Sequence, residues 1–238
     1  MTGHGAGSEW GGADHGPTLA EELLLLALDP ARGKPLNYPS YLRYGLAGAA
    51  LAELAQAGRV TEGRGGRFLV GSPLPVGDLV LDAALATLSA PGKGGEVKVK
   101  RWLRHAARGV DEACRQRLEQ RGAVRRESRR ALGLFRYERL AAGPVDLAGP
   151  ARARFKGALA TGFADPRDRT LAALVSATCL DRKLELGRDR RAVRRDLKAL
   201  DRDDWIARAV AAVILQDQAT AGSGGGGGDG GGDGGGGG

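Results

Sequence analysis

The sequence predicts a mainly α fold, a single globular helical domain that carries two or more β-hairpins. Apolar residues recur at helical spacing through most of the chain, as at Leu42, Leu46, Ala50 and Leu54. Two pairs of strand-like runs stand around glycine-bearing turns, Arg59-Val60-Thr61 with Arg67–Val70 and Ala123–Arg126 with Leu134–Arg139. Of the 238 residues, 1–17 and 221–238 are too glycine-rich to bury a core and read as disordered, which leaves 18–220 as the domain. About 200 foldable residues is the size of one ordinary domain.

The elements follow in order. Thr18-Leu19-Ala20-Glu21 has capping-box form, in which Thr18 bonds the amide of Glu21 and Glu21 bonds back. Leu23 to Leu26 and Leu28 make the helix behind it apolar nearly all round, so it belongs in the core. Asp29-Pro30 ends it. Tyr38-Pro39-Ser40 opens a longer helix with Ser40 as its N-cap, and Gly58 stops it. Gly45 and Gly48 lie three apart within it. Each mid-helix glycine costs about 1 kcal/mol relative to alanine, so a close helix contact is expected there. The first hairpin then turns at Gly63–Gly66. Asp78 caps a helix through Leu79, Leu81, Leu85 and Leu88, and Pro91–Gly95 reads as a mobile loop. Lys98–Arg108 and Asp111–Arg121 read as two helices parted by Gly109. After the second hairpin come helices over Ala151–Ala160, Thr170–Leu180 capped by Asp168, and Asp189–Leu200. A last helix starts at Asp203-Asp204, whose charges suit its N-terminal dipole, and runs through Val210, Val213, Ile214 and Leu215.

Charge distribution points to a class of partner. The net charge is +8, and the segment Lys98–Arg139 holds fourteen Lys/Arg against five Asp/Glu, a local excess of nine. The remainder is about neutral. One basic block of this kind fits a polyanion, either a nucleic acid or an anionic membrane surface, or else a solvated arginine-rich face. The tip of the second hairpin sets Arg129 and Arg130 beside Leu132, Leu134 and Phe135. Cations next to apolar side chains are what an interfacial membrane contact requires, although the same apolar residues would also serve to close the core.

Other classes find less support. No apolar run reaches the roughly 18–20 residues that span a bilayer, and the N-terminus lacks the basic and apolar regions of a signal peptide. Cys114 and Cys179 have no metal-ligand spacing and read as buried free thiols of a cytoplasmic protein. No metal or cofactor is expected. An enzyme is disfavoured: His4, His15 and His105 are the only histidines, no serine stands in a nucleophile elbow, and Gly92-Lys93-Gly94-Gly95 is too short for a phosphate-binding loop. The pairs Glu21/Glu22 and Asp203/Asp204 fit helix starts better than acid–base chemistry. Helix Ser40–Ala57 followed by hairpin Arg59–Val70 has winged-helix order, which makes nucleic-acid binding the alternative reading. Its exposed face offers a thin base-reading set in Arg43, Glu53 and Gln56.

Several segments, in this order, resemble the Golgi phosphoprotein family. They are Leu19-Ala20-Glu21-Glu22 with Leu23–Leu26, Gly45-Leu46-Ala47-Gly48 with Glu53-Leu54-Ala55 and Gly58-Arg59, and Gly77-Asp78-Leu79-Val80-Leu81-Asp82 with Ala84-Leu85. Arg108, Leu118 and Gly122 follow, then Asp165-Pro166-Arg167-Asp168-Arg169 with Leu171 and Leu174. The likeness runs from about Thr18 to Leu215. It implies a mostly helical domain with β-hairpins in a non-enzymatic, cytoplasmic, peripheral membrane protein. It also implies binding of phosphatidylinositol 4-phosphate, a role in sorting membrane proteins for a client the sequence does not name, and oligomers through the hairpin at 123–139. The family's lipid pocket maps its tryptophan onto Tyr38, its first arginine onto Ala47, and its later arginines onto Arg108 and Asp111. Arg43 and Arg104, each one turn before Ala47 and Arg108, are the substitute cations. The resemblance thus implies lipid binding by Tyr38, Arg43, Arg104 and Arg108.

Overall fold

The structure, a computed structural model, describes residues 16–29, 32–88, 95–131, 135–187 and 189–222. It is mainly α, with eight α-helices and two small antiparallel sheets among those residues. The predicted glycine-rich ends and most of the loop at 91–95 lie outside them.

Helix α1 (Leu19–Ala27) is buried along its whole length, as its unbroken leucines require. Its capping box is formed: the Glu21 amide donates to Thr18 Oγ1 at 3.2 Å, and the Thr18 amide donates to Glu21 Oε2 at 2.7 Å. Helix α2 (Pro39–Gln56) is the centre of the core. It packs against α1 and against the helices introduced below as α3, α4, α6 and α8. Its N-cap is Tyr38 and not Ser40, because proline at the first helical position needs no amide partner and sets the helical φ by itself. Gly58 ends the helix at φ +67°. The expected close approach at its glycines is present. A Cβ on Gly45 would stand 2.5 Å from Thr178 Cγ2 and 3.0 Å from Leu23 Cδ2, and one on Gly48 would stand 2.8 Å from Val210 Cγ2.

Strands β1 (Val60–Glu62) and β2 (Arg67–Val70) form the first hairpin, in the register Val60 opposite Val70. A third strand, β3 (Glu96–Lys98), extends this sheet by pairing with β2, Phe68 opposite Val97. Between them lies α3 (Leu79–Ala86), capped by Asp78, which accepts from the amides of Val80 and Leu81. Helix α4 (Val99–Gln120) is one continuous helix through Gly109, correcting the expected break. Its buried stripe of Trp102, Leu103, Ala106, Val110, Cys114 and Leu118 outweighs the cost of a single glycine.

The second hairpin comprises β4 (Val124–Ala131) and β5 (Phe135–Ala142). Its base is anchored, with Val124, Leu140 and Ala141 buried. Gly33, at φ +58°, lets the backbone approach so closely that a Cβ there would run into the Leu140 carbonyl. Helix α5 (Ala148–Ala160) follows, then α6 (Pro166–Ala177). Asp165, not Asp168, caps α6: proline again takes the first helical position, and Asp165 accepts from the amides of Arg167 and Asp168. A short 3₁₀ turn at Leu180–Arg182 leads to α7 (Arg190–Asp203) and α8 (Trp205–Gly222). Asp204 caps α8 through the amides of Ile206 and Ala207. Both cysteines are free, and burial pushes the Cys114 thiol well above its usual range, which makes it a packing residue rather than a reactive one.

Candidate functional site

The first turns of α2 carry Tyr38, Tyr41 and Tyr44 at three-residue spacing, with Arg43 beside them. Tyr38 is 69% exposed and its ring stands 5.0 Å from that of Tyr41. The end of α8 closes against these tyrosines: Tyr44 Oη donates to Asp217 Oδ2 at 2.7 Å, and Gln218 Nε2 donates to Tyr41 Oη at 2.6 Å. From α4, Arg104 reaches the same carboxylate at 2.9 Å and the Gln216 side chain at 3.2 Å. The Tyr44 hydroxyl, aided by Arg104 and opposed by partial burial, holds the Asp217 carboxyl below its usual range.

One turn past Arg108 on the same helix, Asp111 is buried and bridges two guanidiniums, Arg43 at 3.2 Å and Arg115 at 2.7 Å. Arg108 itself is exposed and has no hydrogen-bond or ion-pair partner among the described residues. Positions 104, 108, 111 and 115 form one stripe along α4. The cluster of Arg43, Arg104, Arg108, Arg115, Asp111 and Asp217 therefore carries a net charge of +2, four cations against two carboxylates. Lys100 and Arg101 on α4, and Arg125 at the base of the second hairpin, are likewise exposed and unpaired among the described residues.

Three of the four expected lipid-binding residues make contacts here, and Arg108 makes none among the described residues. Tyr38 leans on Tyr41, Arg43 meets α4 at Asp111, and Arg104 meets α2 through the Asp217 bridge to Tyr44. Arg43 and Arg104 are held by carboxylates, however, and Arg108 is the one of the three arginines that is unpaired. Ala47 is wholly buried and lies in the core. Tyr41, Tyr44, Asp217 and Gln218 were missed as members. The tyrosine spacing was a usable signal; the arrival of α8 was not.

In the second hairpin, Arg129 stands opposite Tyr137, Arg130 opposite Arg136 and Ala131 opposite Phe135 in the backbone register. Leu132 and Leu134 lie outside the described residues. Nearer the base, Arg126 is drawn back to α4 by Glu112 at 2.7 Å and Glu119 at 3.2 Å.

Buried ion pairs take up the remaining acids. Glu21 faces Arg117, which also bonds Asp78, the cap of α3. Glu22 is held by Arg154 at 2.5 Å, and Glu53 by Arg167 at 2.5 Å. Burial nevertheless raises the carboxyls of Glu22 and Glu53 above their usual range, against the pull of these arginines. The acids are structural partners, with no nucleophile or histidine beside them in these contacts. No group of histidine, cysteine and carboxylate residues among the described residues has metal-binding geometry, and no described helix is long and apolar enough to cross a membrane. The winged-helix alternative fails on burial. Leu42, Gly45 to Ala52 and Leu54 are buried in α2, so the middle of that helix has no free face for a groove of DNA.

The class defined so far is a mainly helical domain with a cationic, tyrosine-bearing face and no assembled catalytic site among the described residues. The family model for Golgi phosphoprotein 3 (GPP34) matches residues 19–216, so the chain belongs to that family. A search of curated proteins found no match.

Proposed function

We propose that the protein is a non-enzymatic peripheral membrane protein that docks on anionic lipid headgroups and serves as an adaptor. The observation that carries this reading is the set Lys100, Arg101, Arg108 and Arg125, cations exposed and unpaired among the described residues and lying on α4 and the hairpin that packs against it. Family membership supports it, since the resemblance above implies binding of phosphatidylinositol 4-phosphate.

Selectivity for a phosphomonoester headgroup is the finer half of the reading. It rests on Tyr38 and Arg108, with Arg43 and Arg104 joining only if a headgroup displaces Asp111 and Asp217. A phosphate competes well for guanidinium because both are suited to bidentate bonding. The test is co-sedimentation with vesicles that are neutral, contain phosphatidylserine, or contain phosphatidylinositol 4-phosphate, across a salt series. Arg108→Glu and the double variant Arg129→Glu/Arg130→Glu are compared with the parent. The expected result is salt-sensitive binding to both anionic vesicles, weakened by either variant, and a preference for the phosphoinositide that Arg108→Glu abolishes. Binding unchanged in both variants would overturn the assignment of these faces, and no binding to any vesicle would overturn the membrane reading.

A further inference from the structure

A second feature is lined by none of those residues. Between the end of α1, the loop leading to α2, helix α5 and the segment before α7 is a cleft of about 330 Å³. It continues into a second recess that reaches Arg190 at the start of α7. The floor is apolar, formed by Leu26, Leu36, Phe155, Leu159, Leu184 and Leu186. Its volume falls within the range of about 300–1,000 Å³ usual for small-molecule sites.

The charges on the lining are unbalanced. Lys156, Lys183 and Arg190 are exposed and pair with nothing among the described residues. Arg152 is committed, donating to the carbonyls of Leu25 at 3.3 Å and Leu28 at 2.7 Å. Asp29 is engaged by the Arg32 amide at 3.0 Å. Glu185 is the one unpaired carboxylate on the lining, so three free cations face one free anion.

We infer that this cleft binds the hydrocarbon chain of a single-chain anionic amphiphile, a fatty acid, with its carboxylate held at the mouth by Lys156, Lys183 and Arg190. The floor takes hydrocarbon and has little to offer a peptide. The carbonyls of Leu25, Ala27 and Leu28 at the end of α1 are already bonded by Arg152 and the Leu36 amide, and none of the β-strands lines the cleft. A bare apolar ligand would leave the cations unused. An amphiphile with an anionic end answers both features, hydrocarbon against leucine and carboxylate against lysine. This site is independent of the vesicle-binding face, and either can fail alone.

The test is calorimetric titration of the full chain with octanoate, decanoate and dodecanoate below their micelle concentrations, and with dodecanol. One site per chain is expected, with affinity rising about fourfold per added methylene until the cleft is filled. Dodecanol should bind about tenfold more weakly than dodecanoate, and so should dodecanoate to Lys156→Glu/Lys183→Glu, a change confined to exposed side chains. Leu159→Trp, checked for folding by its melting curve, should fill the cleft and abolish binding. The inference is overturned by absence of dodecanoate binding, by equal affinity for dodecanol, or by affinity unchanged in the lysine variant. Binding of an acidic amphipathic peptide without dodecanoate would overturn it as well.

Discussion

Replacing Asp111 by asparagine separates the charge of the candidate site from its stability. Asp111 neutralises part of the face on which it lies, because its two oxygens hold Arg43 and Arg115. Asparagine keeps the shape and one acceptor but removes the charge, which takes the six-residue cluster from +2 to +3. One more cation near an anionic leaflet contributes about 1 kcal/mol, so binding to phosphatidylserine vesicles at low salt should tighten about fivefold. The same change weakens two charge-assisted hydrogen bonds, each worth about 1.5–3 kcal/mol when shielded from water. Arg43 is 42% exposed and Arg115 20%, and solvent screening reduces both contributions. A net loss of about 1–3 kcal/mol lowers the melting temperature of a domain this size by about 2–12 °C. Co-sedimentation at low and high salt beside calorimetric melting measures both. A variant that melts cooperatively yet binds no better than the parent at low salt would refute the reasoning. So would a gain that survives 1 M salt, where the screening length is about 3 Å.

Four further predictions follow from the packing and the buried acids. Gly45→Ala places a methyl 2.5 Å from Thr178 Cγ2, so overpacking of about 1–3 kcal/mol should exceed the helix-propensity gain and lower the melting temperature. Gly109→Ala meets nothing within 4 Å on an exposed face of α4 and should raise melting by about 2–4 °C, through about 1 kcal/mol of propensity. Thr18→Ala removes the acceptor of the Glu21 amide and should cost about 1–2 kcal/mol in a urea titration. The Glu53 carboxyl, raised by burial from an ordinary value of 4.5, binds its proton more tightly folded than unfolded. Its contribution to stability is therefore greatest below that value and declines as pH rises through the folded one. Glu53→Gln, which cannot titrate, should accordingly destabilise more at pH 4 than at pH 7; an equal or reversed difference in urea midpoints would contradict the assignment.

Local chemistry made much of the fold legible. The capping box at Thr18, the glycine stop at Gly58, the Asp78 cap and both hairpins are short-range features, and each appears at its expected place. The misses have two physical sources. At Ser40 and Asp168 the sequence offers a side-chain oxygen as cap, but Pro39 and Pro166 take the first helical position and move each cap upstream. At Gly109 the local breaker is outweighed by the buried stripe that spans it, a long-range effect of packing. Strand β3 is three residues long and has no periodicity of its own; only its partner β2 makes it a strand. The site divides in the same way. Tyr38 and Arg108 follow from the family resemblance, and Arg104 from its place one turn before Arg108. The carboxylate that occupies Arg104 lies 113 residues away, and the same group lies 173 residues from Tyr44, distances that only the completed helix packing closes.

Those long-range pairs change how the basic block should be counted. A linear excess of nine charges from Lys98 to Arg139 suggests a strong electrostatic attractor. Within the fold, Arg117 serves Glu21 and Asp78, Arg126 serves Glu112 and Glu119, and Arg115 serves Asp111. These arginines hold helices and hairpin together and are poorly placed to reach a membrane. On the helix and hairpin base, Lys100, Arg101, Arg108 and Arg125 remain. At about 1 kcal/mol each they provide about 4 kcal/mol, an apparent dissociation constant near 1 mM. Binding at micromolar lipid would need about 4 kcal/mol more, from apolar insertion or from a headgroup that recruits Arg43 and Arg104. Stable membrane attachment generally takes two such signals. Salt discriminates between them: a four-cation contact disappears on raising ionic strength, whereas a contribution from apolar burial persists.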